Sequence, residues 1–592
     1  MTATIQTLLL LIAVLVVVAV VARRFNTARS ILLIIAGIAL ALIPGLPRIE
    51  LAPELVLLGI LPPLIYSAGV AMSWREFRFN LRPITLLAIG CVVFTTCAVA
   101  AVAHWLLGMP LAVGFVLGAI VSPPDAVAPL SIVRRLGVPH RLVVVLEGEG
   151  LANDATALIL YRFAVAAVGS GVFSLTQAAG GFALIVVGEI AYGIGLGWLS
   201  LRLRRWAHDP RVEITLSLLT PYAAFLLPAH FGGSGVLSTI AAGLFVSWNG
   251  PLLIPAATRL QGIFFWDLLV YLLEGLVFLV TGLQIRTVFD RLDPISLRGP
   301  LLAVLLAVAV VIVARFVWVY PATYLPRWLS PALARRDPSP PWQWPFFLAF
   351  VGVRGVVSLA AALAIPLTTL TGAPFPYRDL ILFVTFGVIV VTLVGQGVLL
   401  PAVVRWLGLG RHAADERERE HTAELAARAE ALNMVQSRLD QLSGDGGIAP
   451  EVLAILRARH DYRVGRLPKN TSSGVETASA AADLRSELIA AEREYIYQLL
   501  REGKITDEAR RRIERGLDLE EAGIRMQERG RSGTATLGFR RRSCVCCSEM
   551  RCVFSGHHST IKAGARPWIH RPDEQVHTDA TASAATALAA RF

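Results

Sequence analysis

Charge is what this chain has little of. Only 17% of its 592 residues are Asp, Glu, Lys or Arg, and 55% are hydrophobic; soluble domains carry nearer ~25% charged residues. A wholly soluble protein of this length is excluded. Cysteine is also scarce, with six in all: Cys91, Cys97, Cys544, Cys546, Cys547 and Cys552. Nothing in their spacing resembles a secreted disulfide framework. Cys544 and Cys547 form one C-x2-C pair, but no second pair follows at a zinc-module distance, so no metal is expected and the run reads as unstructured cytosolic thiols. The apolar stretches hold no HExxH, no GxSxG and no nucleophile–base pair, so neither an enzyme activity nor a cofactor is expected. The first apolar block, Ile5 to Val21, has no basic residue before it and no small-residue cleavage site, and is expected to stay as a span rather than leave as a signal peptide.

What is there is apolar residue in long blocks. Thirteen candidate spans follow one another at roughly 5–22, 28–45, 51–71, 82–107, 111–131, 142–167, 175–203, 211–230, 233–249, 262–285, 299–327, 342–367 and 379–407, each near the ~20 residues that cross a bilayer as helix. The expected fold class is therefore an all-α polytopic membrane protein. Residues 1–407 form the transmembrane domain. Residues 408–530 return to charged sequence with helical spacing and read as a helical cytoplasmic tail, with KNTSSGVETAS as a linker. Residues 531–592 lack periodicity and are expected to be disordered. Alternate loops collect arginines: Arg23 and Arg24; Arg75, Arg78 and Arg82; Arg134, Arg135 and Arg141; Arg202, Arg204 and Arg205; Arg327, Arg335 and Arg336. The positive-inside rule puts these in the cytoplasm, the N-terminus outside and the tail inside. The net charge of +12 is spread over such loops and the tail, which suits topology control and anionic lipid rather than nucleic acid.

Ionisable residues inside the spans carry the chemistry. Such groups are costly in hydrocarbon and mark ion or proton pathways by default. The sixth span reads EGEGLANDATALILYRF from Glu147. At ~100° per residue Glu147 and Asp154 share one face and Glu149 and Asn153 another. Asp154 lies ~18 Å along from Leu142, near mid-membrane, with the Asn153 amide beside it. Glu147 falls at the cytoplasmic end, at an entrance or simply in interfacial water. In the fifth span Ser122, Pro123, Pro124 and Asp125 interrupt the helix, since prolines remove backbone donors and disfavour helix before them. Unwinding there would free carbonyls for a cation, with Asp125 and Ser122 as ligands; the other reading of Asp125 is a cap on the second half-helix. In the twelfth span Arg354 lies between Gly352 and Gly355. A guanidinium at mid-span needs a carboxylate, and Glu149 is the natural partner, with Asp125 or Glu274 as alternatives. Glu189, Arg162 and Asp267 are expected to snorkel or line crevices.

Three motifs together resemble the monovalent cation:proton antiporter family 1, the sodium/proton exchangers of bacterial NhaP type. Glu149, Asn153 and Asp154 match a Glu-x-x-x-Asn-Asp pattern, Asp125 matches the centre of Thr-Asp-Pro, and Gly352, Arg354 and Gly355 match Gly-x-Arg-Gly. Pro124 and Ala126 depart from the second pattern. The resemblance spans about residues 5–407. It implies an NhaA-like fold of two inverted repeats with crossing unwound helices, Na+ exchanged for H+ in one-for-one proportion, and a homodimer in the cell membrane that serves pH homeostasis. K+ or Li+ in place of Na+ is the near alternative, and a cation channel the more distant one. A channel would need a continuous polar stripe, whereas the polar groups here cluster at one depth.

Overall fold

In hydrocarbon a segment must satisfy its backbone groups internally, which leaves helix as the outcome for blocks this apolar. The computed structural model describes residues 2–523, apart from 26, 45–51, 171–174, 291–297, 370, 371, 445–448, 466–471 and short gaps between 503 and 515. Its ordered elements are helices, with one isolated bridge between Thr368 and Pro374. Each of the thirteen apolar blocks carries helix. Among the described residues, eight helices are long and apolar enough to cross a membrane by length and composition. The blocks at 111–131 and 342–367 are each built from two short helices around a non-helical centre: Leu111–Val121 with Val127–Leu136, and Gln343–Phe350 with Val356–Leu363. Three π-helical stretches, Leu55–Ile60, Leu86–Cys91 and Val391–Gln396, stand near Pro62 and Pro63, Pro83, and Pro401. A proline deletes one i→i−4 bond, and the widened turn takes up the slack.

Ion pairs join separate helices. Arg82, Arg141 and Arg327 come from three of the arginine-rich loops and meet on the Asp337 carboxylate at 2.6, 2.9 and 2.8 Å. Those loops therefore share one side of the molecule, as their arginine content predicts. Arg29 pairs with Glu274 at 3.1 Å and lies over the Tyr271 ring. Glu189, expected to snorkel, is instead buried. Its carboxylate accepts the backbone N–H groups of Ser234, Gly235 and Leu237 and so caps the helix Val236–Leu253. Arg162 donates to the Gly233 carbonyl of the same turn at 2.5 Å.

Two compact units divide the chain at Gly474. The first, Met1–Gly474, holds every apolar block and also the tail helices Leu409–Gly444 and Pro450–Gly465. Leu407 and Leu409 pack into the same apolar cluster as Leu142, Phe347 and Leu400. In the second unit, Ile489, Ile496 and Leu517 form a small core, and Arg493 pairs with Asp518 and Glu521. The segment read as a linker is helical from Ser472. The cysteine run and the segment expected to be disordered lie outside the described residues.

Candidate functional site

The two broken blocks meet at their centres. After Val121 the chain leaves the helix through Ser122, Pro123 and Pro124 and resumes it at Val127. After Phe350 it runs without helix through Gly352 and Gly355 and resumes at Val356. The Asp125 N–H donates to the Val353 carbonyl at 2.7 Å, so the breaks are joined main chain to main chain. Gly355 permits the approach: a Cβ there would lie 2.5 Å from the Asp125 Cβ.

Arg354 does not pair with Glu149. The Glu149 carboxylate is held on both oxygens by Arg315, from the helix Arg298–Leu329, with one contact at 2.8 Å and a shorter one on the other oxygen. Glu149 and Arg315 are each 1% exposed. Arg354 serves the breaks instead. Its Nε donates to the Val121 carbonyl at 2.7 Å, a second nitrogen donates to the Gly352 carbonyl, and its backbone N–H donates to Thr392 Oγ1 at 3.0 Å. A guanidinium on the last carbonyl of a helix also meets the negative end of its dipole. Arg354 is reached by carbonyls because the helix termini expose them, while Arg315 reaches Glu149 first. Gly352 lets the two arginines pass, since a Cβ there would lie 2.8 Å from Arg315 Cδ.

On the helix His140–Ser170, the Asn153 amide donates Nδ2–H to the Pro124 carbonyl at 2.6 Å. A carbonyl only accepts, so the amide's orientation is forced and Oδ1 points elsewhere. That oxygen is buried, with no hydrogen-bond partner among the described residues. Asp154 is half-buried and makes no hydrogen bond or ion pair among the described residues. Asp125 spends one oxygen on the Val127 N–H at 2.9 Å, as a cap on the second half-helix. A cavity of about 10 Å³, near the room of one water, is lined by Pro124, Asp125, Glu149, Gly150 and Val351 among others. Ser122 receives the Thr96 hydroxyl at 3.0 Å and faces the Ala119 carbonyl at 3.5 Å, which ties two helices together. Glu147 pairs with Arg134 at 2.6 Å. Both line a larger cavity of about 410 Å³ together with Glu76, His140, Glu416 and Glu420.

The structure therefore brings Asp125, Asn153 and Asp154 to one crossing, puts Glu149 beside it in a closed ion pair, and leaves Glu147 at a separate opening. Sequence reasoning missed Arg315, Thr96 and Thr392. For Arg315 the signal exists: an arginine near the midpoint of an otherwise apolar helix. Thr96 and Thr392 carry none, because a threonine that bonds its own helix looks the same in sequence.

Acidic oxygens without partners, set where two interrupted helices cross inside a bundle of apolar helices, define a membrane ion carrier. The chain belongs to the sodium/hydrogen exchanger transmembrane family, whose pattern matches residues 10–406. Over 87% of its length it is 36% identical to an uncharacterized Na+/H+ exchanger of Mycobacterium tuberculosis, covering 95% of that protein. Over 80% of its length it is 30% identical to the sodium, potassium, lithium and rubidium/H+ antiporter of Bacillus subtilis, covering 71% of that one. The solved sodium proton antiporter MjNhaP1 of Methanocaldococcus jannaschii superposes with a TM-score of 0.55 at 18% identity, over 69% of this chain and 99% of that one. At that identity the likeness is one of fold.

Proposed function

We propose that this protein is a secondary active transporter exchanging a monovalent cation, sodium first, for a proton through competition at Asp154. One observation carries the reading. The Asn153 Oδ1 is a buried acceptor without a donor, and its neighbour Asp154 has no protein partner among the described residues. A hard cation or a proton supplies what these oxygens lack. Asp125 adds a second carboxylate across the break, and the carbonyls around Pro124 are within the same crossing. Glu149, neutralised by Arg315, contributes structure rather than a seat for the ion. Arg354 holds the ends of the half-helices.

Exchange follows if the carrier changes sides only when Asp154 is loaded with one passenger or the other. No bond of a substrate is made or broken, so the activity is transport and not catalysis. Sodium ahead of potassium rests on the resemblance; the relatives carry names for both. The same reading places the protein in the cell membrane as a homodimer of two inverted repeats per chain, with the N-terminus outside and the tail in the cytoplasm, serving pH homeostasis.

The test is exchange in vesicles that carry an imposed proton gradient. Sodium addition should dissipate the gradient with the wild-type protein and leave it standing with Asp154→Asn. Dissipation by that variant at the wild-type rate would rule the mechanism out. Potassium and lithium run in parallel rank the cations.

A further inference from the structure

The Asp337 junction is over-supplied with positive charge. Three guanidiniums share one carboxylate, whose two oxygens are both taken: Oδ1 by Arg141, Oδ2 by Arg82 and Arg327. Arg327 is further tied to the Asp337 and Thr323 carbonyls. Beside the junction a cleft of about 50 Å³ is lined by Arg82, Arg141 and Arg327 together with the apolar Leu86, Val319 and Leu348. Trp344 lines it as well. Two donors on these lining residues, Arg82 Nη1 and Trp344 Nε1, are buried and have no acceptor among the described residues. Buried donors are satisfied in the great majority of cases, so two on residues that line one cleft point to an acceptor that belongs beside them.

We propose that this cleft binds a phosphate oxyanion, carried by the headgroup of an anionic phospholipid. The guanidinium fork matches the spacing of phosphate oxygens, and the surplus of arginine over carboxylate leaves charge for it to neutralise. The indole N–H supplies a further bond. The apolar wall suits the glycerol and first methylenes of a lipid better than a fully hydrated ion. Trp328 and Trp342, next in sequence to the site and 79% and 49% exposed, mark the level where headgroups lie. The helices that frame the cleft, Leu81–Thr85, His140–Ser170, Arg298–Leu329 and Gln343–Phe350, include the two that carry Asn153 and Arg315. A lipid here would brace both.

The experiment is thermal unfolding of the full-length protein in neutral detergent, with added phosphatidylglycerol, diacylglycerol lacking phosphate, or inorganic phosphate. Native mass spectrometry of each sample scores retained lipid. Arg82→Gln removes the guanidinium that carries the unpaired Nη1, together with its bond to Asp337, and Trp344→Phe removes only the N–H while keeping the ring. Phosphatidylglycerol should raise the unfolding temperature of the wild type and stay bound. Its protection should be smaller in Trp344→Phe and lost in Arg82→Gln, and diacylglycerol should not protect. Protection by inorganic phosphate alone would keep the oxyanion site and overturn its lipid source. No protection of the wild type by either, or lipid protection that survives in both variants, overturns the proposal.

Discussion

Arg315 fixes the charge pattern of the site. A buried ion pair contributes little net stability over an apolar pair, but removing one partner strands the other and costs ~3–5 kcal/mol. Arg315→Gln should therefore destabilise the protein by about that amount, read as a lower unfolding temperature in detergent. Glu149→Gln combined with it should cost less than the two single changes summed, since each single change strands a lone charge and the double change leaves none. Exchange should fall in Arg315→Gln even where folded protein is recovered, because Glu149 is then free to draw the cation from Asp154. At this scale the sequence was half legible. Spacing along one helix separates Glu149 from Asp154 and sets Asn153 beside Asp154. It says nothing about which of two intramembrane arginines faces Glu149, because that depends on how separate helices are rotated. The forced orientation of the Asn153 amide likewise needs the Pro124 carbonyl in place.

The breaks in the helices were the most legible elements. Two consecutive prolines in one block announce where the backbone must leave the α form, and for the block with Gly-x-Arg-Gly the resemblance implies the same. That they touch is tertiary information. Gly355→Ala tests the contact. The added methyl falls on the Asp125 side chain and should cost ~1–3 kcal/mol as an overpacked site, with exchange in vesicles reduced more than stability. Asp337 joins three other elements. Burial pushes its carboxyl up, but the Arg141 hydrogen bond and the charges of Arg141, Arg327 and Arg82 outweigh it and hold the group below the usual carboxylate value. A depressed folded value means stability fully present above the ordinary ~3.9 and lost as pH falls through the lower folded value. Asp337→Asn should lower the unfolding temperature equally at about pH 6 and about pH 8, converging with the wild type only in strong acid. Any pH dependence of exchange near neutrality then originates elsewhere.

At the scale of the whole molecule, hydropathy alone located the helical blocks, and each apolar block carries helix. The sorting of arginines among loops also has a counterpart in the fold, where Arg82, Arg141 and Arg327 converge on Asp337. The start of the tail joins the same side, as the His140 N–H donates to Glu416 at 3.0 Å. The charged helix Leu409–Gly444, which reads as solvated in sequence, falls in the first compact unit. Cysteines introduced at Arg135 and Arg336, in a background with the six native cysteines replaced, should react with an impermeant maleimide in inside-out vesicles and not in right-side-out ones. Opposite reactivity of the two positions would break the shared-side topology.

The link from Asp125 to Val353 runs between main-chain atoms, so it has no side chain to lose. Drift can replace the residues flanking Asp125 without cutting it, and only an imino acid at position 125 would abolish the donor. Pro124 and Ala126, which depart from the Thr-Asp-Pro pattern this block resembles, leave that link uncut: the crossing is written into the backbone.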